Sequence, residues 1–162
     1  MLVVSNTSPL SNLAIIGRLE LVREQVGEVV IPPAVAAELG RNPKPNAHAA
    51  LEAAMLQGWI RVVPLASLVP QDLGLALDLG EAEALTLALQ AKAGLVLLDE
   101  SAARSRAAKL GIPFTGALGI LRRARQTNRI PSLRTEILRL RNEARFFISP
   151  ALEKALLISV GE

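Results

Sequence analysis

Short aliphatic runs alternate with longer segments of helical periodicity along this chain of 162 residues. The runs predict five β-strands, at residues 2–5, 29–31, 60–63, 95–98 and 113–115. Strands separated by helices are typical of βα units around a parallel sheet. Because the first, second and fourth runs are almost entirely Val, Ile and Leu, we expect helices on both faces of the sheet. The pattern therefore predicts an α/β protein with three layers, α/β/α, around a central parallel sheet.

Helices are predicted between the strands from capping residues and apolar stripes, at residues 9–16, 19–25, 33–40, 47–57, 81–92, 101–110, 117–126, 133–143 and 150–157. The first of them takes Ser8 as its N-cap and Pro9 as its first helical residue. Residues 41–46 are rich in Pro and Asn and predict a loop. Residues 64–79 predict a connector with at most one helical turn. No internal repeat is visible, so we expect one domain over residues 1–162, with residues 128–162 as a helical C-terminal extension.

The composition narrows the possible chemistry. Hydrophobic residues make up 51% of the chain and charged residues 20%, as expected for a compact globular protein. The absence of cysteine excludes disulfides, thiolate nucleophiles and zinc fingers, so only oxygen and nitrogen ligands remain. The single histidine argues against a His-based hydrolase. With no basic leader and no apolar run long enough to span a membrane, we expect a cytoplasmic protein.

Charge is distributed unevenly between the two ends of the chain. Residues 1–100 hold 6 basic and 11 acidic side chains, a net charge of −5, whereas residues 101–162 hold 12 and 4, a net charge of +8. Arg122, Arg123 and Arg125 follow the last predicted strand. They form either an ordinary solvated helix face or a surface for a phosphate backbone. With aromatic residues at only 2%, a base-stacking platform for single strands is not expected.

Polar residues follow two of the buried strands. Asn6, Thr7 and Ser8 come after the first strand, and Asp99 and Glu100 come after the fourth. Ligands of open parallel sheets bind at the carboxyl ends of the strands, so these side chains are candidates for chemistry. The structural alternatives are that Asn6 forms a turn into the next helix and that Asp99 caps the helix after it.

Three glutamates lie on the helices near these strands. Glu38 comes in the last turn before Gly40, and Glu81 and Glu83 open the helix before the fourth strand. The helix wheel aligns Glu81 with the apolar face and Glu83 more toward solvent, so Glu81 is the better ligand candidate. The structural alternatives are that Glu81 and Glu83 are the acids expected in a first helical turn, and that Glu38 is a solvated terminal glutamate, although the helix dipole disfavours an acid there. Carboxylate, amide and hydroxyl oxygens together suit Mg²⁺ or Mn²⁺.

Five blocks, taken together, resemble the PIN-domain proteins, and more narrowly a prokaryotic subgroup known as DUF3368. They are VVSNTSPL (3–10), VIPPAVAAEL (30–39), GEAEAL (80–85), LLDESAAR (97–104) and TGALGIL (115–121). The resemblance implies a Rossmann-like α/β/α domain that binds Mg²⁺ or Mn²⁺ between acidic residues and cuts single-stranded RNA. It also implies, as expectations, a toxin of a toxin–antitoxin pair, a small antitoxin protein as inhibitor, and a homodimer.

The family's acidic positions fall here on Asn6, Glu38, Glu81 and Asp99. The resemblance implies that these four hold the metal, and it makes Thr7, Ser8, Glu83 and Glu100 candidates for the surrounding shell. Asn6 is a departure, because the usual PIN nuclease has Asp at this position. The loss of one negative charge weakens a site for a hard cation and leaves the fold intact.

The sequence therefore supports a first hypothesis of a metal-dependent endoribonuclease whose RNA is held by Arg104, Arg122, Arg123 and Arg125. A second hypothesis is a catalytically silent RNA-binding or regulatory module, motivated by Asn6 and the basic C-terminal half. A third, a doubly wound nucleotide or phosphotransfer domain, lacks the glycine-rich phosphate loop that it needs.

Overall fold

The computed structural model describes residues 1–162 and has a five-stranded, all-parallel sheet at its centre. The strands are β1 (Val3–Ser5), β2 (Val29–Ile31), β3 (Ile60–Val62), β4 (Leu95–Leu97) and β5 (Phe114–Thr115). Their order is β3-β2-β1-β4-β5. The order reverses between β1 and β4, where Val4 pairs with Val96. This reversal is the topological switch point at which parallel α/β sheets form their sites.

Ten helices connect and cover the strands. They are α1 (Thr7–Ile15), α2 (Glu20–Val26), α3 (Pro33–Gly40), α4 (Pro45–Leu56), α5 (Gln71–Ala76), α6 (Leu79–Gln90), α7 (Ser101–Lys109), α8 (Ala117–Gln126), α9 (Leu133–Glu143) and α10 (Pro150–Ser159). Each strand is followed by at least one helix, which is the connection that parallel neighbours require.

Successive strand residues point to opposite faces of the sheet, and each face has its own core. Val3 and Leu97 belong to a core of 28 buried residues that includes side chains of α1, α2, α4 and α8. Val4 and Val96 belong to a second core of 13 buried residues, built with α5, α6 and α7. The sheet is thus covered on both sides, which confirms the predicted three-layer α/β/α architecture.

The C-terminal helices pack against the larger of these two cores. Leu133 and Ile137 of α9 and Leu157 of α10 are buried in it. An ion pair reinforces the packing, since Arg18 Nη2 lies 2.7 Å from Oε1 of Glu136, whose side chain is almost fully buried. A buried carboxylate needs such a partner.

Several predicted boundaries differ from the structure for local reasons. Helix α1 begins at Thr7 with Asn6 as its N-cap, two residues before the predicted start, and Ser8 lies within the helix. Helix α4 begins at Pro45, inside the predicted loop 41–46, because proline is well suited to the first helical position. The connector 64–79 contains the six-residue helix α5.

Helix α6 begins at Leu79 instead of residue 81. Its N-cap is Asp78, which accepts a hydrogen bond from the Glu81 N–H, while the Glu81 side chain accepts one from the Asp78 N–H. This reciprocal capping box satisfies two backbone donors at the start of the helix. Leu89, predicted to lie in the apolar stripe of this helix, is 41% exposed. No helix in the structure has both the length and the apolar character needed to cross a membrane.

Candidate active site

Asn6 lies at the centre of the carboxyl edge of the sheet. It directly follows β1, and its N–H donates to the carbonyl of Leu97 on β4 at 3.0 Å. The residue is only 3% exposed. Its Nδ2 lies 3.5 Å from Oε2 of Glu100, and its Oδ1 is buried with no hydrogen-bond partner. A buried amide oxygen without a donor is unfavourable, so this atom is a notable exception in an otherwise well-paired structure.

The first turn of α1 joins two glutamates to this edge. The Thr7 hydroxyl donates to Oε2 of Glu38, at the end of α3. The Ser8 hydroxyl donates to Oε1 of Glu100, which is the N-cap of α7. Residues that are 31 and 92 positions apart in the sequence are thereby held side by side.

Asp99 lies next to this group, at the end of the fourth strand. Its Oδ1 accepts from the N–H of Ala117, the first residue of α8, at 2.8 Å, and its Oδ2 accepts from Nδ2 of Asn12 at 3.0 Å. Burial raises the pKa of Asp99 despite these two hydrogen bonds. The charge of Glu100 raises that pKa further, and the charge of Arg104 opposes the rise. Asp99 therefore anchors α8 and does not cap the helix that follows it.

Glu81 is buried, with 6% exposure, as its position on the apolar face predicts. Burial raises the pKa of its carboxyl, and the charge of Asp78 adds to the rise. The charges of Glu100 and Glu38 raise the pKa further, so the three glutamates share one electrostatic environment. Bringing a cation to this edge would relieve the repulsion between them.

Two glycines permit close approach at the edge. A Cβ built on Gly80 would lie 2.5 Å from Oε1 of Glu38. A Cβ on Gly116 would collide with Oδ1 of Asp99 and lie 2.6 Å from Nη2 of Arg104. Any larger residue at either position would displace a carboxylate, so the sequence keeps space for the acids themselves.

The structure thus brings together Asn6, Thr7, Ser8, Glu38 and Glu100 through direct contacts. Two further acids lie next to this group. The charges of Glu38 and Glu100 act on Glu81, and Asp99 directly precedes Glu100 in the sequence. No three acidic side chains stand close enough together to form a metal-binding group. The donor set nevertheless fits a hard divalent cation, since it consists of carboxylate oxygens and the unpaired amide oxygen of Asn6.

The remaining predicted residues have other contacts. Glu83 is half-buried and accepts from the N–H of Ala34 at the start of α3, at 3.0 Å. Arg104 donates to the carbonyl of Leu98 at 2.8 Å. Arg122 donates to the hydroxyl of Ser159, whereas Arg123 is exposed and forms no ion pair.

Arg125 lies 3.2 Å from the carboxylate of Glu162. Arg122 and Arg125 therefore connect α8 to the C-terminal segment, a role that the excess of basic charge does not reveal.

Sequence reasoning missed Asn12, which holds Asp99, and the two glycines that make room for the acids. The sequence did contain a signal for Asn12, which is the spacing of the polar residues on α1. Ser8 and Asn12 are four residues apart, and so are Thr7 and Ser11. This spacing forms a polar stripe on a helix whose other face is apolar. The role of Gly116 depends on tertiary approach and has no local signal.

An acidic edge at the switch point of a parallel α/β/α sheet is the arrangement of the PIN domain, a nuclease-type fold. The chain matches the DUF3368 family, described as a PIN domain, over residues 2–162, and it belongs to that family. This confirms the resemblance seen in the sequence. At the family level the match supports nuclease or hydrolase chemistry, and PIN domains generally use divalent metal ions. A search of curated proteins finds no match to the chain.

Proposed function

We propose that this protein is a divalent-metal-dependent endoribonuclease of PIN type and the toxin component of a toxin–antitoxin pair. The main support is the set of contacts at the carboxyl edge of the sheet, where hydroxyls of the first turn of α1 bind Glu38 and Glu100 and the charges of these two glutamates act on Glu81. The buried and unpaired Oδ1 of Asn6 is the second support, since a ligand or water bound at this edge would satisfy it.

In this proposal Glu38, Glu81, Asp99 and Asn6 hold Mg²⁺ or Mn²⁺. The bound ion supplies Lewis-acid chemistry and a water of lowered pKa for attack on a phosphodiester. Thr7 and Ser8 orient the carboxylates of Glu38 and Glu100 through their hydroxyls. No side-chain base is required.

The ribonucleotide strand would run along the carboxyl edge, with Arg104 beside Asp99 as the nearest cation. Of the arginines predicted on α8, Arg123 is exposed and forms no ion pair, so it is the one free to bind a phosphate, whereas Arg122 and Arg125 contact the C-terminal segment. Cations of this kind position a nucleic acid through its phosphates and carry no sequence information.

A small antitoxin and a second copy of the chain are the partners that this role implies. Large apolar side chains are exposed in the C-terminal segment, among them Phe147 at 86%, Ile158 at 67% and Leu152 at 46%. Burying these side chains against a partner would remove apolar surface from water, which supports a protein partner at this end.

One observation favours a second candidate, a catalytically silent RNA-binding or regulatory module. Asn6 contributes no charge where the family's nucleases have Asp, and no three acidic side chains form a metal-binding group. A site of this kind binds a hard cation less tightly than an all-carboxylate site.

The test is cleavage of single-stranded RNA with Mn²⁺, with and without EDTA, by the parent chain and by Asp99→Ala. We expect EDTA to abolish cleavage and Asp99→Ala to lower the rate by at least about 100-fold, as for loss of a metal-site group. The matched control is Asp72→Ala, an exposed acid on α5, which should cut at the parent's rate. Equal rates for Asp99→Ala and the parent would contradict the proposal.

A further inference from the structure

A polar cavity of about 380 Å³ lies beside the acidic edge, between α1, the α3–α4 loop and the end of α9. We call it the α1–α9 pocket, and the side chains that matter for its chemistry are Ser11, Asn42, Lys44, Glu143 and Arg145. Of these residues only Arg145 entered the sequence-based hypotheses, as one of the arginines of the basic C-terminal half.

The pocket is connected to the candidate active site by two links, one between α1 and α3 and one between α1 and the loop that follows α3. Thr7 bonds to Glu38 at the acidic edge, and Ser11 accepts a hydrogen bond from Asn42 at 2.8 Å in the pocket. The second link is four residues farther along both segments, about 6 Å along a helix axis. A strand bound across the acidic edge reaches the pocket within that short distance.

The pocket holds two free cations. Lys44 and Arg145 are exposed, and neither forms an ion pair. The one acid that lines the pocket, Glu143, is paired with Arg139 at 2.8 Å. The unpaired charges in the pocket are therefore positive, so they attract an anionic ligand.

The loop that carries Lys44 is held in a fixed shape. The Lys44 N–H donates to Oδ1 of Asn42 at 3.0 Å, and Pro43 and Pro45 restrict the backbone on either side. A cation on such a loop loses less conformational freedom on binding than one on a mobile loop.

Arg145 has an unusual backbone conformation, with φ +53°. This left-handed region favours Gly or Asn and is unfavourable for a long side chain. It comes directly after α9, where Gly is the common residue at a helix end. Lys92, at the end of α6, has the same conformation with φ +52°, so the backbone alone does not distinguish Arg145, and the argument for its side chain is the free charge that it places in the pocket.

We propose that the α1–α9 pocket is a phosphate subsite, in which Lys44 and Arg145 bind a backbone phosphate of the single-stranded RNA on one side of the scissile bond. This inference rests on the proposed function, because it takes RNA as the substrate. It differs from the sequence-based hypothesis in the residues that hold the strand, since Arg122 and Arg125 are engaged with the C-terminal segment.

The test compares RNA binding by the parent and by the double variant Lys44→Gln/Arg145→Gln. Binding is measured in EDTA by the fluorescence anisotropy of a labelled single-stranded oligoribonucleotide. Loss of two phosphate contacts should reduce the slope of log K against log salt by about 1.4, and weaken binding about 25-fold at 0.1 M salt. With Mn²⁺ present, KM for cleavage should rise with little change in kcat.

The control is Lys92→Gln/Lys109→Gln. Both lysines are exposed, form no ion pair, and lie at the opposite, amino end of the sheet, before β4 and β5. This variant removes the same charge and should keep the parent's salt slope. If Lys44→Gln/Arg145→Gln also keeps the parent's slope and affinity, the subsite is wrong and the nuclease proposal stands. If the parent neither binds nor cuts RNA, both proposals fail.

Arg145→Gly separates a binding role from a structural one. Glycine relieves the backbone strain, so we expect Tm to rise by about 2–4 °C for a domain of this size, while RNA affinity falls. A variant that is more stable yet binds as tightly as the parent would overturn the role of Arg145.

Discussion

At the scale of single residues, Asn6 carries the most information about this site. Its amide is buried beside Glu100, with Nδ2 at 3.5 Å from that carboxylate. An aspartate at this position would bring a second negative charge next to Glu100 and remove a donor. The neutral amide therefore stabilises the edge when no cation balances the acids.

This reasoning predicts opposite effects of Asn6→Asp with and without metal. In EDTA the variant should have a lower Tm than the parent, because a buried carboxylate at position 6 would be desolvated and would repel the carboxylate of Glu100 beside it. With Mn²⁺ its Tm should rise by more than the parent's, since the added carboxylate binds the cation. Thermal unfolding in the two buffers measures both effects.

Cleavage assays on the same variant distinguish the two candidate functions. If the parent is inactive and Asn6→Asp cuts RNA, the silent module is supported. If the parent cuts RNA at a substantial rate that the substitution leaves unchanged, the enzyme is supported. An equal Mn²⁺ response of the parent and the variant would contradict a metal role for residue 6.

At the scale of elements, the meeting of α3 and α6 decides where Glu38 can lie. Gly80 is the second residue of α6, and a methyl group there would lie 2.5 Å from the Glu38 carboxylate. Gly80 has ordinary helical backbone in the first turn of α6, where a change from glycine to alanine would otherwise stabilise the protein by about 0.4–1 kcal/mol. Glycine at this position instead leaves room for the Glu38 carboxylate.

We therefore expect Gly80→Ala to leave the free energy of unfolding unchanged or slightly higher, because the Glu38 side chain is flexible and moves aside. The Mn²⁺-induced rise in Tm should nevertheless decrease. Urea unfolding and thermal shifts with Mn²⁺ measure the two properties.

Gly74→Ala on α5 is the matched control for this substitution. Its new Cβ would meet only Val69, at 3.8 Å, and it should raise stability without changing the response to Mn²⁺. A full Mn²⁺ response in Gly80→Ala would show that the position of Glu38 does not matter for metal binding.

The elements themselves were largely predictable, and the errors share one cause. Buried strands such as Val29–Ile31 were read correctly, because a run without polar alternation has few other interpretations. The starts of α1, α4 and α6 were missed, since several residues in each segment can serve as caps. Asp78, for example, was recognisable as an N-cap only once paired with Glu81 three residues later.

At the scale of the whole molecule, Glu162 joins three helices. Its carboxylate accepts from the N–H groups of Leu133 and Arg134 and from the Ser132 hydroxyl, and it lies 3.2 Å from Arg125. Desolvation alone would raise the pKa of Glu162, but the hydrogen bonds from Leu133, Ser132 and Arg134 and the charge of Arg125 lower it overall. The ionised form is thus favoured in the folded protein.

A lowered folded-state pKa means that this carboxylate stabilises the protein above the ordinary carboxyl range, and that the contribution is lost as the pH falls through the folded pKa. We expect Glu162→Gln to lower the Tm at neutral pH, with the difference from the parent shrinking as the pH falls below the ordinary glutamate pKa and disappearing below the lowered folded-state pKa. Thermal unfolding across this range measures the effect.

Glu28→Gln is the control, since Glu28 is exposed and 3.7 Å from Arg61. It should change the Tm little at any pH. If the Tm of Glu162→Gln stayed equally far below the parent's in acid, the charge of Glu162 would not be the source of its stabilising effect.

The site was less predictable than the fold. Asn6, Glu38, Glu81 and Asp99 could be assigned to one edge from their positions at strand ends and helix ends. The α1–α9 pocket could not, because Lys44 and Arg145 are about a hundred residues apart and meet only through the packing of α9 on α1. The pairing of Arg125 with Glu162 was hidden for the same reason.

Asp99 receives its hydrogen bond from the N–H of Ala117, a residue 18 positions later. During synthesis, all the acids of this edge are therefore made before α8, the helix whose first N–H binds Asp99. The acidic edge forms only when translation has passed the fifth strand and α8 has docked. A growing polypeptide that ends before α8 therefore lacks the backbone donor that holds Asp99 in place.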